Sequence, residues 1–285
     1  MRIFLTGGTG FIGCHFINLA HSCGIEIVAL RRPGSHSRLP LLKQPIWVDG
    51  HLDGDLTEHL LGIEVLVHLA SHTPNPPYDV LSRCLYWNVY ASIRLAEQAR
   101  QCGVDKFIVA GSCFEYGDSA GRYEKIPVDA PLLPNLSYPI SKAAASEAFI
   151  GFATENQVKL TILRLFQVFG DGEQESRFWP SLKHAALSGK DFSMSLGEQV
   201  RDFIHVSDVA KEFIKALSFE NAKPGNAMVK NIGSGTALTL REFAEIWWRE
   251  WGASGSLRFG EVPYRKNEVM RLVPEISNFK KDESS

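Results

Sequence analysis

No stretch of this chain is apolar over the roughly 20 residues that a bilayer-spanning helix needs. Met1 is not followed by a basic segment, an apolar stretch and a small-residue cleavage site; a strand-like run, Ile3-Phe4-Leu5-Thr6, begins at once. Both absences point to a cytoplasmic protein with no membrane partner. Cysteine is sparse and odd in number: the five residues Cys14, Cys23, Cys84, Cys102 and Cys113 show no CxxC spacing. They read as reduced thiols rather than as a disulfide frame or zinc site. The nine histidines show no HExxH or other ligand spacing, so no metal is expected. An excess of charge is also missing. Thirty Lys+Arg against 32 Asp+Glu give a net charge of −2, too little to draw nucleic acid or an anionic membrane. What remains is an ordinary globular balance, 45% hydrophobic and 22% charged, able to bury a core, without repeats or low-complexity segments.

The first two thirds alternate short apolar runs with helical patterns. Strands are expected at Arg2 to Thr6, Glu26 to Leu30, Pro45 to Val48, Val65 to Leu69, Lys106 to Ala110 and Lys159 to Leu165. Several are continuously apolar, as strands covered on both faces are. Helices are expected from Gly10 to Cys23, closed by Gly24, from Asp79 to Cys102, closed by Gly103, and from Pro139 to Glu155. This rhythm predicts an α/β fold with a Rossmann-type, doubly wound parallel sheet over residues 1–170. After Gly170 shorter elements and charged loops predict a smaller C-terminal substrate-binding lobe, residues 171–285, with the chain crossing back into the sheet around 201–235. Thr239-Leu240-Arg241-Glu242 has capping-box spacing and opens a helix that runs to Gly252. Lys280 to Ser285 are polar and expected to fray.

Thr6-Gly7-Gly8-Thr9-Gly10-Phe11-Ile12-Gly13 follows the first strand and opens a helix. Glycines at 7, 10 and 13 allow a turn and a close approach that a Cβ would obstruct. The helix start then offers free N–H groups and a positive dipole end to a pyrophosphate. A tight strand–helix turn alone needs some of these glycines; the strand-glycine-helix context is what points to a dinucleotide. The second strand ends in Arg31-Arg32 where an NAD-selective site would carry an acid for the ribose 2′-hydroxyl. Guanidinium suits a 2′-phosphate, so NADP(H) is expected, against the plainer reading of two solvated arginines. Asp49, after the third strand, is a candidate beside the adenine, with Asp53 and Asp55 as alternatives.

Tyr138-Pro139-Ile140-Ser141-Lys142 is Y-x-x-x-K, a spacing that puts both side chains on one helical face. An ammonium near a phenol stabilises phenolate. Ser112, in Gly111-Ser112-Cys113-Phe114-Glu115-Tyr116-Gly117, falls at the end of the fifth strand, where its hydroxyl could reach a substrate oxygen.

With these motifs the chain resembles the extended short-chain dehydrogenase/reductases of the NAD-dependent epimerase/dehydratase type. The resemblance rests on TGGTGFIG (6–13), VHLAS (67–71), Asn88, SCFEYG (112–117), YPISK (138–142), RLFQVFG (164–170), RDFIHVSDVA (201–210) and NIGSG (231–235). It implies Tyr138 as general acid/base, Lys142 as the residue that holds the nicotinamide ribose and tunes Tyr138, and Ser112 on the reacting carbonyl. Gly7, Gly10, Phe11, Ile12, Gly13, Leu69 and Ala70 would border the cofactor. Arg201 and Arg265, the latter in Tyr264-Arg265-Lys266-Asn267-Glu268-Val269, would hold a nucleotide-sugar diphosphate; a surface salt bridge is the plainer reading of each. Gln167 stands where many relatives have Asn at a substrate contact, and the usual Leu-Gly-Trp-x-Pro ending is missing, so the outer wall of the sugar lobe is expected to differ.

Among the chemistries of that family, dehydratases carry an Asp-Glu pair three and two residues before the tyrosine of the xYG motif; here those positions are Cys113 and Phe114, and Glu115 is one residue off. Epimerases hold NAD and recycle it, whereas Arg31-Arg32 points to net reduction with NADPH. GSCFEYG and Gly197 to Phe203 resemble short 4-ketoreductases of the CDP-abequose synthase type. The resemblance therefore implies NADPH-dependent reduction of a nucleotide-diphospho-4-keto-6-deoxyhexose, as in deoxysugar and lipopolysaccharide O-antigen synthesis. A 4-epimerase with bound NAD is the alternative, and a non-catalytic NADP-binding regulator a second one, disfavoured because Ser112, Tyr138 and Lys142 are all kept. Cys113 reads as a small residue packed under the site and His205 as structural. The helices near 79–102 and 139–155 imply a homodimer; the stripe Leu81, Leu85, Val89, Ile93 and Ala96 fits that face or internal packing equally.

Overall fold

The computed structural model describes residues 1–265 and 268–276. In chain order the elements are β1 (Arg2–Thr6), α1 (Phe11–Ser22), β2 (Glu26–Arg31), β3 (Ile46–Asp49), α2 (Thr57–Leu60), β4 (Val65–His68), α3 (Leu81–Leu85), a π-helical turn (Tyr86–Tyr90), α4 (Ala91–Gln101), β5 (Lys106–Ser112) and α5 (Ser137–Asn156). There follow β6 (Lys159–Leu165), β7 (Gln167–Phe169), α6 (Phe178–Leu187), β8 (Phe192–Met194), β9 (Val200–His205), α7 (Val206–Ala216) and β10 (Met228–Ile232). The last are β11 (Ala237–Thr239), α8 (Leu240–Glu250), β12 (Leu257–Phe259) and β13 (Arg271–Leu272). No helix among the described residues is long and apolar enough to cross a membrane.

Seven strands form one parallel sheet in the order β10-β6-β5-β4-β1-β2-β3. Its strands are apolar without alternation because both faces are covered. In β1, Ile3 and Leu5 join Phe16, Ile17 and Phe213 on the face of α1 and α7, while Phe4 joins Leu95, Phe107 and Phe149 on the face of α4 and α5. Each such side chain contributes about 1.5–3 kcal/mol by burial. The chain leaves β1 toward β2 on one side and returns as β4 on the other. The order reverses there, and the crevice at the strands' carboxyl ends is where open α/β sheets hold ligands.

The lobe is built on β9, which pairs with β11, β13 and β7, with β8 and β12 paired apart. Its core is aromatic. Phe203 and Phe243 stack with centroids 3.8 Å apart, and Phe169, Trp179, Trp247 and Trp251 surround them. The tryptophan group of α8 thus packs inward, and Trp248 Nε1 donates to the Gly255 carbonyl at 3.1 Å. The capping box of α8 forms as its spacing predicts, with Thr239 and Glu242 exchanging side-chain-to-backbone bonds. Between these parts the chain re-enters the large sheet as β10, beside β6.

One expectation needs correction. The helix expected from Asp79 to Cys102 starts at Leu81 and is interrupted by the π turn Tyr86–Tyr90. That wider turn carries buried Asn88, whose Oδ1 accepts from the His72 N–H at 2.7 Å and whose Nδ2 donates to Ser141 Oγ at 2.9 Å. Polar contacts of this kind, frequent where π turns occur, leave no mark on the apolar period. β5 also runs two residues further than expected, through Ser112. The polar end read from Lys280 to Ser285, and Lys266 and Asn267 of the Arg265 motif, lie outside the described residues.

Candidate active site

The glycine loop meets the switch point directly. A Cβ on Gly7, which has φ +75°, would lie 2.7 Å from the Ala70 nitrogen and the Leu69 carbonyl carbon; one on Gly13 would run into the Gly7 carbonyl. Glycine is therefore required at both positions. Thr6 Oγ1 accepts the Ala70 N–H at 3.2 Å and sits 2.8 Å from His68 Nδ1, tying the ends of β1 and β4. Burial and nearby Lys142 lower the pKa of His68 to about 3, so this ring is neutral and adds no charge to the crevice. α1 begins at Gly10 with no side-chain cap and no acid in its first turn, leaving its amide donors for an anion. Gly7, Gly10, Gly13, Leu69 and Ala70 thus converge, with Phe11 and Ile12 following in the first turn of α1, and the cradle fits a dinucleotide pyrophosphate.

Ser112 ends β5 and Tyr138 begins α5, so sheet and helix bring them together. The Ser112 and Ser71 side chains lie near the Tyr138 hydroxyl and lower its pKa. Lys142, one turn on, donates from Nζ to the Ala110 carbonyl at 2.7 Å. All three predicted residues are buried. Burial raises the pKa of the Tyr138 phenol, more than the two serines lower it. Burial lowers that of Lys142, opposed by the charge of Glu115. The ring of Tyr78 lies 5.3 Å from that of Tyr138, forming a wall the sequence did not reveal. Tyr78 sits in a proline-rich loop with no readable period, whereas Ser71 closes the VHLAS run and was open to detection.

The arginines divide. Arg31 forms a two-point pair with Asp49, Nε to Oδ1 at 2.8 Å and Nη2 to Oδ2 at 3.2 Å, and lies over Trp47. Asp49 is therefore engaged by Arg31. Arg32 is exposed, and among the described residues no ion pair or hydrogen bond holds its side chain. Arg201 is mostly buried and donates from Nη2 to Glu268 Oε1 at 2.9 Å and to the Val269 carbonyl at 2.6 Å. The salt-bridge reading of Arg201 is thus realised in this structure, with a half-buried partner rather than a surface one. Arg265 is exposed; burial raises the pKa of Tyr78, opposed by the charges of Arg177 and Arg265, and burial raises that of Cys113, opposed by Arg201 and Arg177. Arg177, in the loop before α6, acts on the same two groups as Arg201 and Arg265 and is itself paired with Glu173, Nε to Oε1 at 3.1 Å; no motif marks it. Gln167 is half-buried on β7.

Cys113 packs with Tyr116, Ala120, Ile126 and Phe166, and burial pushes its thiol up to about 12. That environment matches a packed small residue, not a thiolate base. His205 caps α7, its Nδ1 accepting from the Ser207 N–H at 3.3 Å. No group of three His, Cys, Asp or Glu among the described residues has the placement of a metal site.

Residues 3–233 match the NAD dependent epimerase/dehydratase family, and the chain belongs to it. It is thus one of a family of nucleotide-sugar-modifying enzymes that depend on a nicotinamide dinucleotide. The chain is 26% identical to CDP-abequose synthase of Salmonella muenchen, over 94% of this chain and 87% of that protein. It is 26% identical to UDP-glucose 4-epimerase of Azospirillum brasilense, over 85% of this chain and 75% of that protein. The solved structure of MoeE5 in complex with UDP-glucose and NAD superposes with a TM-score of 0.82 at 28% identity, covering 97% of this chain and 90% of that one.

Proposed function

We propose that this chain reduces the 4-keto group of a nucleotide-diphospho-4-keto-6-deoxyhexose with NADPH. The observation that carries the reading is the placement of buried Ser112, Tyr138 and Lys142 at the carboxyl edge of the sheet, with exposed Arg32 just past the end of β2. A reduced nicotinamide bound along the glycine loop supplies hydride to C4 of the sugar. Ser112 donates a hydrogen bond to the keto oxygen and stabilises its growing charge. Tyr138, kept protonated by its burial, gives its proton to that oxygen, and the Lys142 ammonium stabilises the phenolate left behind. Arg201, Arg265 and Arg177 hold the diphosphate, with Arg201 exchanging Glu268 for phosphate. Gln167 and Tyr78 border the sugar. Cys113 and Phe114 supply no acid for water elimination, which is why dehydration is set aside.

Deuterium carried at C4 of NADPH tests the reaction. Mass and NMR analysis of the product should find one deuterium at sugar C4; turnover without any label would mean that hydride never comes from added cofactor. That second outcome belongs to the competing reading, a 4-epimerase that keeps its NAD. One observation favours that alternative: Arg31 is already taken up by Asp49 and so is not free for a 2′-phosphate.

Two further expectations arise here. Gly13→Ala places a methyl group against the Gly7 carbonyl, so the loop must shift. Dinucleotide binding, followed by fluorescence titration with NADPH, is expected to weaken by about tenfold or more, at least ~1.4 kcal/mol. The second concerns assembly. Leu81, Tyr86 and Tyr90 are exposed, and Val89 and Ile93 half-buried, along the helices from 81 to 101. This face, with α5, is proposed as the seam of a homodimer. Val89→Glu with Ile93→Glu should convert a dimer into a monomer in sedimentation velocity; a wild-type chain already monomeric at micromolar concentration would remove the seam from the account.

A further inference from the structure

Glu115 is completely buried, and it stands one residue from where an acid with a known part in elimination would be. Its carboxylate is nonetheless fully occupied. Oε1 accepts the Ser112 backbone N–H at 2.7 Å; Oε2 accepts Ser146 Oγ at 2.9 Å and Arg164 Nε at 2.9 Å. Arg164 continues inward, donating to the Tyr116 hydroxyl at 3.1 Å and the Val128 carbonyl at 2.8 Å. Tyr116 in turn donates to Asn231 Oδ1 on β10 at 2.6 Å. Ser146 lies four residues after Lys142 and eight after Tyr138, on the same face of α5. One carboxylate therefore joins the strand end that carries Ser112 to the helix face that carries Tyr138 and Lys142, and β6 and β10 brace it from behind.

We propose that Glu115 is a positioning residue: it clamps Ser112 to the helix of Tyr138 and Lys142 and serves as the fixed countercharge of the buried Lys142 ammonium. This rests on the assignment of Ser112, Tyr138 and Lys142 as the reacting group. The groups facing Lys142 and Tyr138 support the charge argument. From β4 comes His68, neutral in the working range; from the loop after β4, Tyr78 and the Ser71 hydroxyl; and from the turn after β5, Glu115, whose carboxylate is shared with Arg164 of β6. Glu115 thus acts on both members of the pair, opposing the burial that lowers the pKa of Lys142 and adding to the burial that raises that of Tyr138.

The sign of the effect follows. Without that charge, Lys142 gives up its proton at lower pH, and Tyr138 does too. Reduction needs ammonium and phenol, so its alkaline limit moves down.

The test compares wild type, Glu115→Gln and Glu115→Asp across pH 6 to 10, with two readouts: the NADPH dissociation constant, which depends on Lys142 as a donor, and kcat for the ketosugar. In Glu115→Gln the alkaline limb of both should move about one pH unit lower, with kcat reduced. In Glu115→Asp, which keeps the charge but shortens its reach, kcat should fall while the limb stays at the wild-type position. A Glu115→Gln limb that coincides with wild type, or an Asp variant that shifts equally, would overturn the proposal and leave a merely structural acid. Should Glu115→Gln fail to fold, Ser146→Ala reads the clamp alone: kcat should drop several-fold with NADPH affinity unchanged, and an unchanged kcat would count against the clamp. A wild-type chain that binds NADPH but reduces no ketosugar would overturn the proposed reaction instead, and the NADPH limb would still decide the role of Glu115.

Discussion

Replacing Tyr138 by Phe is expected to lower kcat by about 10²–10⁴-fold and to leave NADPH binding nearly unchanged. The ring is buried against Tyr78 and keeps its place without the hydroxyl, so packing is preserved. What disappears is the proton donor, the hydroxyl beside which the Ser112 and Ser71 side chains lie. The loss should therefore appear in kcat rather than in KM, the signature of an interaction made in the transition state. Single-turnover kinetics with saturating NADPH checks it directly. A variant that keeps full kcat would show that another group delivers the proton, and Tyr138 would revert to a packed aromatic residue.

Arg32→Ala is expected to lower kcat/KM for NADPH by about 10- to 100-fold, since a charge-assisted bond to a phosphate contributes roughly 1.5–3 kcal/mol. The value for NADH should hardly change. Arg31 should behave differently, because Asp49 already takes both arms of its guanidinium, and Trp47 lies beneath it. Asp49→Asn weakens that pair and releases Arg31 toward a 2′-phosphate, so NADPH should gain and NADH should not. Steady-state kinetics with both cofactors separates these outcomes. Equal losses with NADPH and NADH in Arg32→Ala would place the arginine in general surface electrostatics and favour the NAD-retaining reading.

The parts of this molecule that were legible beforehand are those governed by short-range rules. Continuous apolar runs such as Val65–His68 announce strands covered on both sides, and the seven-stranded parallel sheet follows from their alternation with helices. The glycine spacing is local geometry: Gly13 must pass the Gly7 carbonyl, and only the bare backbone can. Tyr138 and Lys142 share a face because helices repeat every 3.6 residues.

What stayed hidden depends on partners far apart in sequence. Glu115 looks like any surface acid until Arg164, 49 residues on, closes on it in the interior. Arg201 reads as a free phosphate ligand until Glu268, 67 residues on, occupies it. Arg31 looks equivalent to Arg32, yet the pairing of β2 with β3 sets Asp49 opposite Arg31 and leaves Arg32 beyond the strand. The π turn at Tyr86–Tyr90 escapes for a related reason. It turns Asn88 toward His72 and Ser141, and those polar contacts interrupt a helix whose apolar pattern continues unbroken.

The most direct test of net ketosugar reduction is NADPH consumption by the purified protein, followed at 340 nm. The dTDP-, CDP-, GDP- and UDP-linked 4-keto-6-deoxyhexoses are offered in turn, with NADH as control. The account predicts rapid oxidation of NADPH with one of the four and much slower oxidation of NADH. A protein shown to bind the cofactor that consumes none with any of them would contradict it and turn attention to an epimerase that carries its own oxidised cofactor.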